Sequence, residues 1–423
     1  MCGIAGAINC HFSYEEVIKT LGHRGPDAHK GYQHKNVDLF HLRLSILDIA
    51  CGQQPMHFDE KYTIIFNGEI YNHQDIRKRF NITGNTLSDT ETLLFLYDRF
   101  GTDFLDYLDG MFAFVIYDKI KNQLFIARDR AGKKPFYYFF QRQKFVFASE
   151  LNCLKTMVPL EIEPANFFQY LRLGSFYRQF TPYKNVTELT AGTFLVVDCN
   201  TLSIKETRWW NINDFYQKEI NDSLEESLQK TDHFLHEAVK RRIESSDLEV
   251  GCFLSGGIDS GIITSIASEY KHDLRTFTVS FAGEYNEAPL AKLVAEKYKT
   301  KHTEISISFE NLKNDLEKIL GHYGEPFFDS SAIPSYYVSR EAKKQVTVIL
   351  NGDGADELFG GYRRYVPFAK YDFFKKNLLV KKGGTFFKKA LPAAHNKKSL
   401  YNYLYRLASL ASSSDLEIYL SAG

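Results

Sequence analysis

The chain has 423 residues, which is enough for two or three domains and for a sizeable core. Its 52 Lys and Arg residues balance its 52 Asp and Glu residues, so no net charge draws it to nucleic acid or to a membrane surface. Apolar residues at 44% exclude a disordered chain, and six scattered cysteines with no long apolar run predict a cytoplasmic protein without a disulfide framework, zinc cage or membrane span.

The second residue of the chain is a cysteine. Removal of the initiator Met1 would place a thiol and a free α-amine on Cys2, with ordinary pKa values of about 8.5 for the thiol and about 7.7 to 8.0 for the amine. Such an amine can take the proton of its own side chain, which is the logic of N-terminal nucleophile hydrolases. On its own, a cysteine at position 2 is not specific.

The first two hundred residues alternate short strands with a few helices. β-Branched and aromatic residues predict antiparallel strands over 62–66, 111–117, 124–127, 144–148 and 193–197. Asn67-Gly68 follows the first of these strands and is a strong signal for a hairpin turn. Ser88 and Glu91 form a capping-box pattern that predicts a helix with Asp89 in its first turn, where the helix dipole should keep its carboxylate ionised.

Five ordered motifs span this half of the chain. They are Met-Cys-Gly-Ile at 1–4, His-Arg-Gly-Pro-Asp at 23–27, Arg-Leu-Ser-Ile at 43–46, Asn-Gly-Glu-Ile-Tyr-Asn at 67–72 and Ser-Asp-Thr-Glu at 88–91. Together they resemble the glutaminase domain of class II glutamine amidotransferases. The resemblance implies an α+β N-terminal nucleophile hydrolase fold, an αββα sandwich, with Cys2 as the nucleophile. Arg24 and Arg128 are interpreted as framework ion-pair residues without a catalytic role.

The chemistry of glutamine explains the residue types in these motifs. Glutamine carries a carboxylate, an ammonium and the amide to be cut, so its pocket needs a cationic fork, anions and oxyanion donors. Arg43 can bind the carboxylate, and Glu69 with Asp89 can bind the ammonium, which are also the roles that the resemblance assigns. The resemblance further implies an oxyanion hole from the Asn67 amide and the Gly68 N–H. Without it, Asp89 is explained as a helix-dipole partner and Asn67-Gly68 as a turn, and the turn could coexist with the oxyanion hole.

The pattern changes after about residue 222 to alternating strands and helices. Strands are predicted over 250–254, 276–281 and 346–350, and helices over 258–270 and 288–298. This alternation is typical of an α/β doubly wound parallel sheet. A boundary between residues 210 and 222 gives a first domain over 1–215 and a second over 222–423.

The hexamer Ser-Gly-Gly-Ile-Asp-Ser at 255–260 joins the first of these strands to its helix. Its glycines, hydroxyls and helix N-terminus suit a phosphate, and because no Lys follows, it is not of the Walker type. The hexamer resembles the loop of ATP pyrophosphatases, and Asn-Gly-Asp-Gly-Ala-Asp-Glu-Leu-Phe-Gly-Gly-Tyr at 351–362 resembles the second signature of the asparagine synthetase family. The resemblance implies ATP and Mg²⁺ as cofactors, with Asp259 and Asp356 as magnesium ligands. It implies an ATP site lined by Leu254, Ser255, Gly256, Gly257, Asp259, Ser260, Val279, Asn351 and Gly352.

Three departures from the family pattern lie in the second half. Asn351 and Asp353 replace the usual Ser and Glu of the second signature, in which the resemblance implies that the acid promotes adenylation. The acceptor region 324–334 lacks the Arg that an aspartate acceptor would favour. The family's Arg-x-Pro-Phe-Leu-Asp segment and pyrophosphate-binding Lys are not found, so either a longer protein or an inactive synthetase half is expected. The 12 Lys and Arg residues of 361–423 are interpreted as solvated helix faces.

The resemblance as a whole implies a glutamine-dependent asparagine synthetase. Such an enzyme hydrolyses glutamine at Cys2, adenylates aspartate with MgATP and amidates it with ammonia. Two alternatives remain open: amidation of another carboxylate, such as a sugar acid or a peptide, and a glutaminase, ammonia-delivering or nucleotide-sensing protein without synthesis. The expected partners are small molecules, with neither nucleic acid nor membrane, and a homodimer is compatible with the pattern.

Overall fold

The computed structural model describes residues 1–362 apart from 178, 217–219, 282 and 284–285, together with single residues and short stretches beyond 362. Residues 1–351 form one unit and 352–423 a second. The strands are β1 (Gly3–Ile8), β2 (Ala28–His34), β3 (Val37–Arg43), β4 (Met56–Phe58), β5 (Tyr62–Ile70), β6 (Gly110–Asp118), β7 (Gln123–Arg128), β8 (Tyr137–Gln141), β9 (Lys144–Ala148), β10 (Val186–Glu188), β11 (Thr193–Asp198), β12 (Ile204–Arg208), β13 (Val250–Phe253), β14 (Arg275–Ser280), β15 (Lys301–Ser306) and β16 (Val348–Leu350). The helices are α1 (Tyr14–Leu21), α2 (His73–Phe80), α3 (Asp89–Phe100), α4 (Leu151–Met157), α5 (Pro164–Leu173), α6 (Asn213–Tyr216), α7 (Leu224–Glu244), α8 (Ile258–Tyr270), α9 (Ala288–Lys297), α10 (Phe309–His322), α11 (Ala332–Ala342) and α12 (Ala355–Phe359), with a 3-10 helix at Gly101–Tyr107.

The first twelve strands form two six-stranded antiparallel sheets. Their orders are β10-β8-β9-β1-β3-β2 and β12-β11-β7-β6-β5-β4. Apolar side chains from the facing sides of both sheets meet in one core that includes Ile4, Phe147, Val115 and Ile126, all fully buried. The two sheets are therefore stacked face to face.

Helices cover the two outer faces of this sandwich. Val17 and Leu21 of α1 pack with α4 against the first sheet, and Leu93 and Leu94 of α3 pack against the second. Alternate strand residues supply the partner surfaces, because successive side chains point to opposite faces of a sheet. This layering is the predicted αββα sandwich.

The later strands form a four-stranded parallel sheet in the order β15-β14-β13-β16. Cys252 packs in a cluster with α7 and α8, whereas the next residue, Phe253, packs in a cluster with Val338 of α11. Helices therefore cover both faces, as predicted for a doubly wound sheet. Because β14 and β16 flank β13 on opposite sides, the chain order reverses there, and such a reversal predicts a crevice at the carboxyl end of β13.

The predicted elements agree with the observed ones to within a few residues. All five strands predicted in the first half occur, and helix 258–270 has the predicted bounds. Most of the basic stretch 361–423 lies outside the described residues. Within the described part of the chain, no helix combines the length and the apolar character needed to cross a membrane.

Candidate active site

Cys2 stands directly before β1, an interior strand in which every residue is buried. The Nε of Arg24 donates to the carbonyl oxygen of Cys2 at 3.0 Å, and its Nη1 lies 2.8 Å from a carboxylate oxygen of Glu150. The amide N–H of Leu44 donates to the Sγ of Cys2 at 3.5 Å. Arg24 thus forms the expected framework ion pair, and it also fixes the backbone of the candidate nucleophile.

Burial sets the protonation of the two groups at this end of the chain. It raises the pKa of the Cys2 thiol and lowers the pKa of the Met1 α-amine to about 5. At neutral pH the amine is therefore uncharged and able to accept a proton, while the thiol keeps its own. With Met1 in place, the α-amine belongs to the residue before the thiol. Removal of Met1 leaves the α-amine on Cys2 itself, where it can accept the thiol proton.

All six residues predicted for glutamine chemistry line one pocket. They are Cys2, Arg43, Asn67, Gly68, Glu69 and Asp89. Arg43 ends β3, is 4% exposed, and donates to the carbonyl oxygens of Leu47, Asp48 and Ile49 at 3.3, 2.7 and 2.9 Å. These carbonyls orient the guanidinium on the pocket wall, where it can bind a carboxylate.

Asn67 and Gly68 lie inside β5, so the predicted hairpin turn at this point is wrong. They pair with Ala113 and Phe112 of β6, and the ladder continues on both sides of them. A Cβ at position 68 would lie 2.3 Å from the carbonyl oxygen of Met111, which explains the glycine by close backbone approach. The Asn67 side chain is fully buried, and both of its amide atoms lack a partner among the described residues. Since buried polar groups are normally paired, this amide is available to a ligand.

Substitution of Asn67 by alanine should separate activity from stability. We expect kcat for glutamate release to fall about 100- to 1,000-fold, the usual cost of losing one oxyanion donor. The melting temperature should stay the same or rise, because an unpaired buried amide is removed.

Asn72 supplies a matched control for this prediction. Its amide donates to the Tyr107 carbonyl at 2.8 Å and accepts from the Asp109 N–H at 2.9 Å. Asn72→Ala should therefore cost about 1–3 kcal/mol of stability with little change in kcat. Thermal melts with glutamate-release kinetics on both variants provide the measurement, and an Asn67→Ala protein with unchanged kcat would contradict the oxyanion role.

Two buried carboxyl groups face each other across the pocket. Asp89 lies in the first turn of α3, as predicted, and accepts from the Ile70 N–H at 3.0 Å. Burial nevertheless raises its pKa to about 6, and burial beside Asp89 raises the pKa of Glu69 well above its ordinary value. One oxygen of Glu69 has no partner among the described residues. A substrate ammonium between them would offset both buried charges.

The capping box predicted at the start of α3 forms only in part. The Ser88 hydroxyl accepts from the Thr90 N–H at 3.2 Å, so Ser88 does cap the helix. The Glu91 carboxylate turns away to Arg77 at 2.8 Å and to the N–H of Asn85 at 2.8 Å. The predicted hydrogen bond from the Ser88 N–H to the Glu91 carboxylate is therefore wrong, because the guanidinium of Arg77 is a stronger partner for that carboxylate than the Ser88 N–H.

The pKa of Asp89 predicts an acid limb in the pH profile of glutamine use. Burial raises that pKa from 3.8 to about 6, so the folded protein holds this proton over a pH range in which the unfolded chain has lost it. Ammonium binding needs the ionised form, so kcat/KM should fall about tenfold per pH unit below about 6. Stability of the ligand-free protein should change in the opposite direction and decline as pH rises from about 4 to 6. Steady-state kinetics between pH 5 and 8 test this, and a flat profile down to pH 5 would contradict it.

Two pocket residues escape sequence reasoning. Lys134 is 3% exposed, its Nζ contacts the Met1 sulfur, and burial lowers its pKa to about 8. Gln54 accepts from the Phe66 N–H at 2.7 Å and donates to the Thr90 hydroxyl at 3.3 Å, joining β5 to α3. Neither residue belongs to one of the sequence motifs, and only their burial in the folded chain identifies them as pocket residues.

The loop 255–260 lies at the carboxyl end of β13, beside the crevice. Gly256 has a φ of +85° and Gly257 caps α8. The Ser260 hydroxyl accepts from the Ser255 N–H at 3.1 Å and lies 3.0 Å from the Ser255 hydroxyl. The two predicted hydroxyl donors thus hold the loop closed on itself, and Asp259 lies in the first turn of α8. A carboxylate there suits a hard cation such as Mg²⁺.

The other predicted ATP-site residues are divided between the two units. Leu254 donates its N–H to Phe277 at 2.9 Å, which ends the β13–β14 ladder and leaves Val279 beyond it. Asn351 directly follows β16, the neighbour of β13. Gly352, Asp353 and Asp356 belong to the second unit, where Asp356 lies in the first turn of α12.

Comparison with known proteins decides the family. A family model described as a glutamine amidotransferase domain matches residues 1–210, and one described as asparagine synthase matches residues 230–421. A protein of Methanocaldococcus jannaschii with the provisional name glutamine-hydrolysing asparagine synthetase 2 is 35% identical over 410 residues, covering 89% of this chain and 78% of the relative. The chain belongs to the glutamine-hydrolysing asparagine synthetase family.

Other members of the family are longer than this chain. Asparagine synthetase 1 of Bacillus subtilis is 37% identical over 394 residues, and the match covers 86% of this chain but 59% of that protein. A protein of Mycobacterium bovis with a provisional asparagine synthetase name is 33% identical, and the match covers 90% of this chain but 61% of that protein. The chain therefore spans about three fifths of the length of these two synthetases.

The predicted role of the loop 255–260 in ATP binding can be tested by substituting one of its glycines. A Cβ at Gly256 would lie 2.8 Å from the Glu287 carbonyl oxygen, in a backbone conformation that L-residues rarely adopt. Gly256→Ala should cost about 1–3 kcal/mol of stability and weaken ATP binding at least about tenfold. Gly261 of α8 is the matched control, since a Cβ there would meet no atom within 4 Å outside its own helix and alanine should gain up to about 1 kcal/mol. Calorimetric ATP titration and thermal melts test the pair, and equal ATP affinity in the two variants would contradict the role of the loop.

Two side chains from the first half of the chain contact the segment 324–334, which the sequence predicts to be the acceptor region. The Lys155 Nζ and the Tyr183 hydroxyl both donate to the Gly324 carbonyl, at 3.0 and 3.5 Å. Burial, and then the charge of Glu188, raise the pKa of Glu325 to about 7. The segment thus holds a half-buried carboxyl group and no arginine.

Proposed function

We propose that this protein is a glutamine-dependent amide synthetase whose acceptor is aspartate. The convergence of Cys2, Arg43, Asn67, Glu69 and Asp89 on one pocket carries the proposal. A thiol, a cationic fork, an unpaired amide and two carboxyls match the amide, carboxylate and ammonium of free glutamine.

Glutamine hydrolysis follows from these groups. The Cys2 amine, freed by removal of Met1, takes the thiol proton as Sγ attacks the side-chain amide carbon of glutamine. The Asn67 amide and the Gly68 N–H donate to the oxyanion, and the amine returns the proton to the leaving nitrogen, releasing ammonia. Water then cleaves the thioester, which gives glutamate and restores the thiol.

Amide synthesis is assigned to the parallel-sheet half. The acceptor carboxylate attacks the α-phosphorus of ATP, pyrophosphate leaves, and ammonia then displaces AMP from the acyl-adenylate. The N–H groups of the loop 255–260 and the N-terminus of α8 would bind phosphate oxygens. Asp259 and Asp356 would hold Mg²⁺, which neutralises phosphate charge, and Asp353 would promote adenylation.

Two measurements on the protein with Met1 removed test this proposal. Glutamate release from glutamine reports the first half, and pyrophosphate release that depends on aspartate reports the second. Both are expected. Absence of glutamate release would overturn the whole proposal, whereas glutamate release without pyrophosphate for any acceptor would favour an ammonia-delivering or nucleotide-sensing protein.

A second candidate differs only in the acceptor. The half-buried Glu325 carboxyl and the absence of arginine over 324–334 disfavour an acceptor with two carboxylates. A sugar acid or a peptide that offers a single carboxylate would be repelled less by the Glu325 carboxyl. Pyrophosphate release across a panel of carboxylates distinguishes the candidates, and stimulation by aspartate alone would reject the second one.

A further inference from the structure

Three side chains that are far apart in the sequence meet beside the candidate nucleophile. His23 follows α1, Glu150 precedes α4, and His322 is the last residue of α10. The Nε2 of His23 lies 3.0 Å from a Glu150 oxygen, and the two imidazole rings meet edge to face with centroids 4.4 Å apart. One nitrogen or oxygen from each residue falls within 4.8 Å of the others.

The contacts of this cluster suit a cation. His23 and His322 are exposed and Glu150 is half-buried, so a metal ion could reach all three side chains from solvent. One oxygen of Glu150 pairs with Arg24 at 2.8 Å, and its second oxygen is buried without a partner among the described residues. Such an oxygen calls for a ligand.

We propose that His23, Glu150 and His322 form a binding site for a divalent metal ion of the zinc class. Two imidazoles and one carboxylate are a set that Zn²⁺ accepts, with a fourth position for water. Tetrahedral bonds of about 2.1 Å place ligand atoms about 3.4 Å apart, so small side-chain rotations complete the site. Arg24, 2.8 Å from the Glu150 oxygen that contacts His23, would remain as the outer partner of the carboxylate.

A metal ion at this site would link the antiparallel sandwich of the first unit to its parallel-sheet half. α10 already contacts α4 through Asn152, whose amide donates to the Gly321 carbonyl at 2.8 Å. A metal ion would join His322 to Glu150. Glu150 accepts a hydrogen bond from Arg24, and Arg24 also donates to the carbonyl of Cys2. The synthetase half would then reach the backbone of the nucleophile through three side chains.

Titration of the metal-free full chain with Zn²⁺ and Co²⁺ tests the proposal. We expect one equivalent to bind, with the visible absorption of four-coordinate Co²⁺ and a higher melting temperature with Zn²⁺. His322→Ala and His23→Ala should each weaken Zn²⁺ binding at least about 100-fold. The same titration on Cys2→Ala excludes the thiol as the ligand, and since no step measures glutamate release, failure here leaves the proposed function untouched.

His236 provides the matched control. Its ring lies 3.7 Å from Asp232 and 3.8 Å from Glu269, so it is a histidine close to carboxylates outside the proposed site. His236→Ala should bind Zn²⁺ as the unaltered chain does. Absence of stoichiometric binding, or equal binding by all three histidine variants, would overturn the proposal.

Discussion

Replacement of Cys2 by alanine is expected to lower glutamate release at least about 10,000-fold, because no thioester can form without the thiol. The change removes one sulfur atom from the rim of a pocket, so the fold should persist. A coupled assay for glutamate measures the loss. Cys10 is the matched control, since it lies beyond the other end of β1, where its Sγ donates to the His11 carbonyl at 3.6 Å. Cys10→Ala should leave the rate unchanged.

A second readout on Cys2→Ala separates lost chemistry from lost structure. Ammonium salts can replace glutamine as the nitrogen source if the synthetase half acts independently of the thiol. Cys2→Ala should then release pyrophosphate with ammonium and acceptor at the rate of the unaltered protein. Normal glutamate release by the variant would reject Cys2 as the nucleophile.

The candidate glutamine pocket could be predicted from sequence because its residues stand in short ordered motifs. Cys2 precedes β1, Arg43 ends β3, Asn67 and Glu69 lie on β5 and Asp89 begins α3, and the structure brings all five to one pocket. Their roles stay predictions. The antiparallel first half and the doubly wound second half followed from the order of predicted strands and helices, whereas the αββα sandwich was implied by the resemblance.

The errors at this site have a common physical cause. The hairpin at Asn67-Gly68 and the full capping box at Ser88 were local expectations, and each lost to a partner distant in the chain. β6 pairs along the whole of β5, and Arg77 draws Glu91 from the cap. Burial of Lys134 depends on the folded chain, so no local pattern marks it.

The cluster of His23, Glu150 and His322 shows the same limit for sites. A zinc motif in sequence is recognised by short spacings between ligands. Here the ligand atoms come together only because the end of α1, the start of α4 and the end of α10 lie at the same place. A site formed by residues so far apart in the sequence can be identified only from the folded structure.

Residues added ahead of Cys2 are expected to lower glutamate release about 100- to 10,000-fold, the contribution of a general base. With Met1 attached, the amine belongs to the preceding residue, and the Met1 side chain lines the pocket and contacts Lys134. A leader with a protease site that ends immediately before Cys2 allows one preparation to be assayed before and after cleavage. Activity should appear on cleavage, with ATP affinity unchanged, and a fully active uncleaved protein would contradict the role of the amine.

A single glycine left ahead of Cys2 distinguishes loss of the base from blockage of the pocket. Glycine moves the amine away from the thiol but has no side chain to fill the space where Met1 lies. If the amine is the base, KM for glutamine should stay within a few-fold of the mature protein while kcat falls. If blockage dominates, the glycine form should recover most of the kcat. The first result is expected, because the amine of the added glycine lies one residue away from Cys2 and is not placed to take the thiol proton directly.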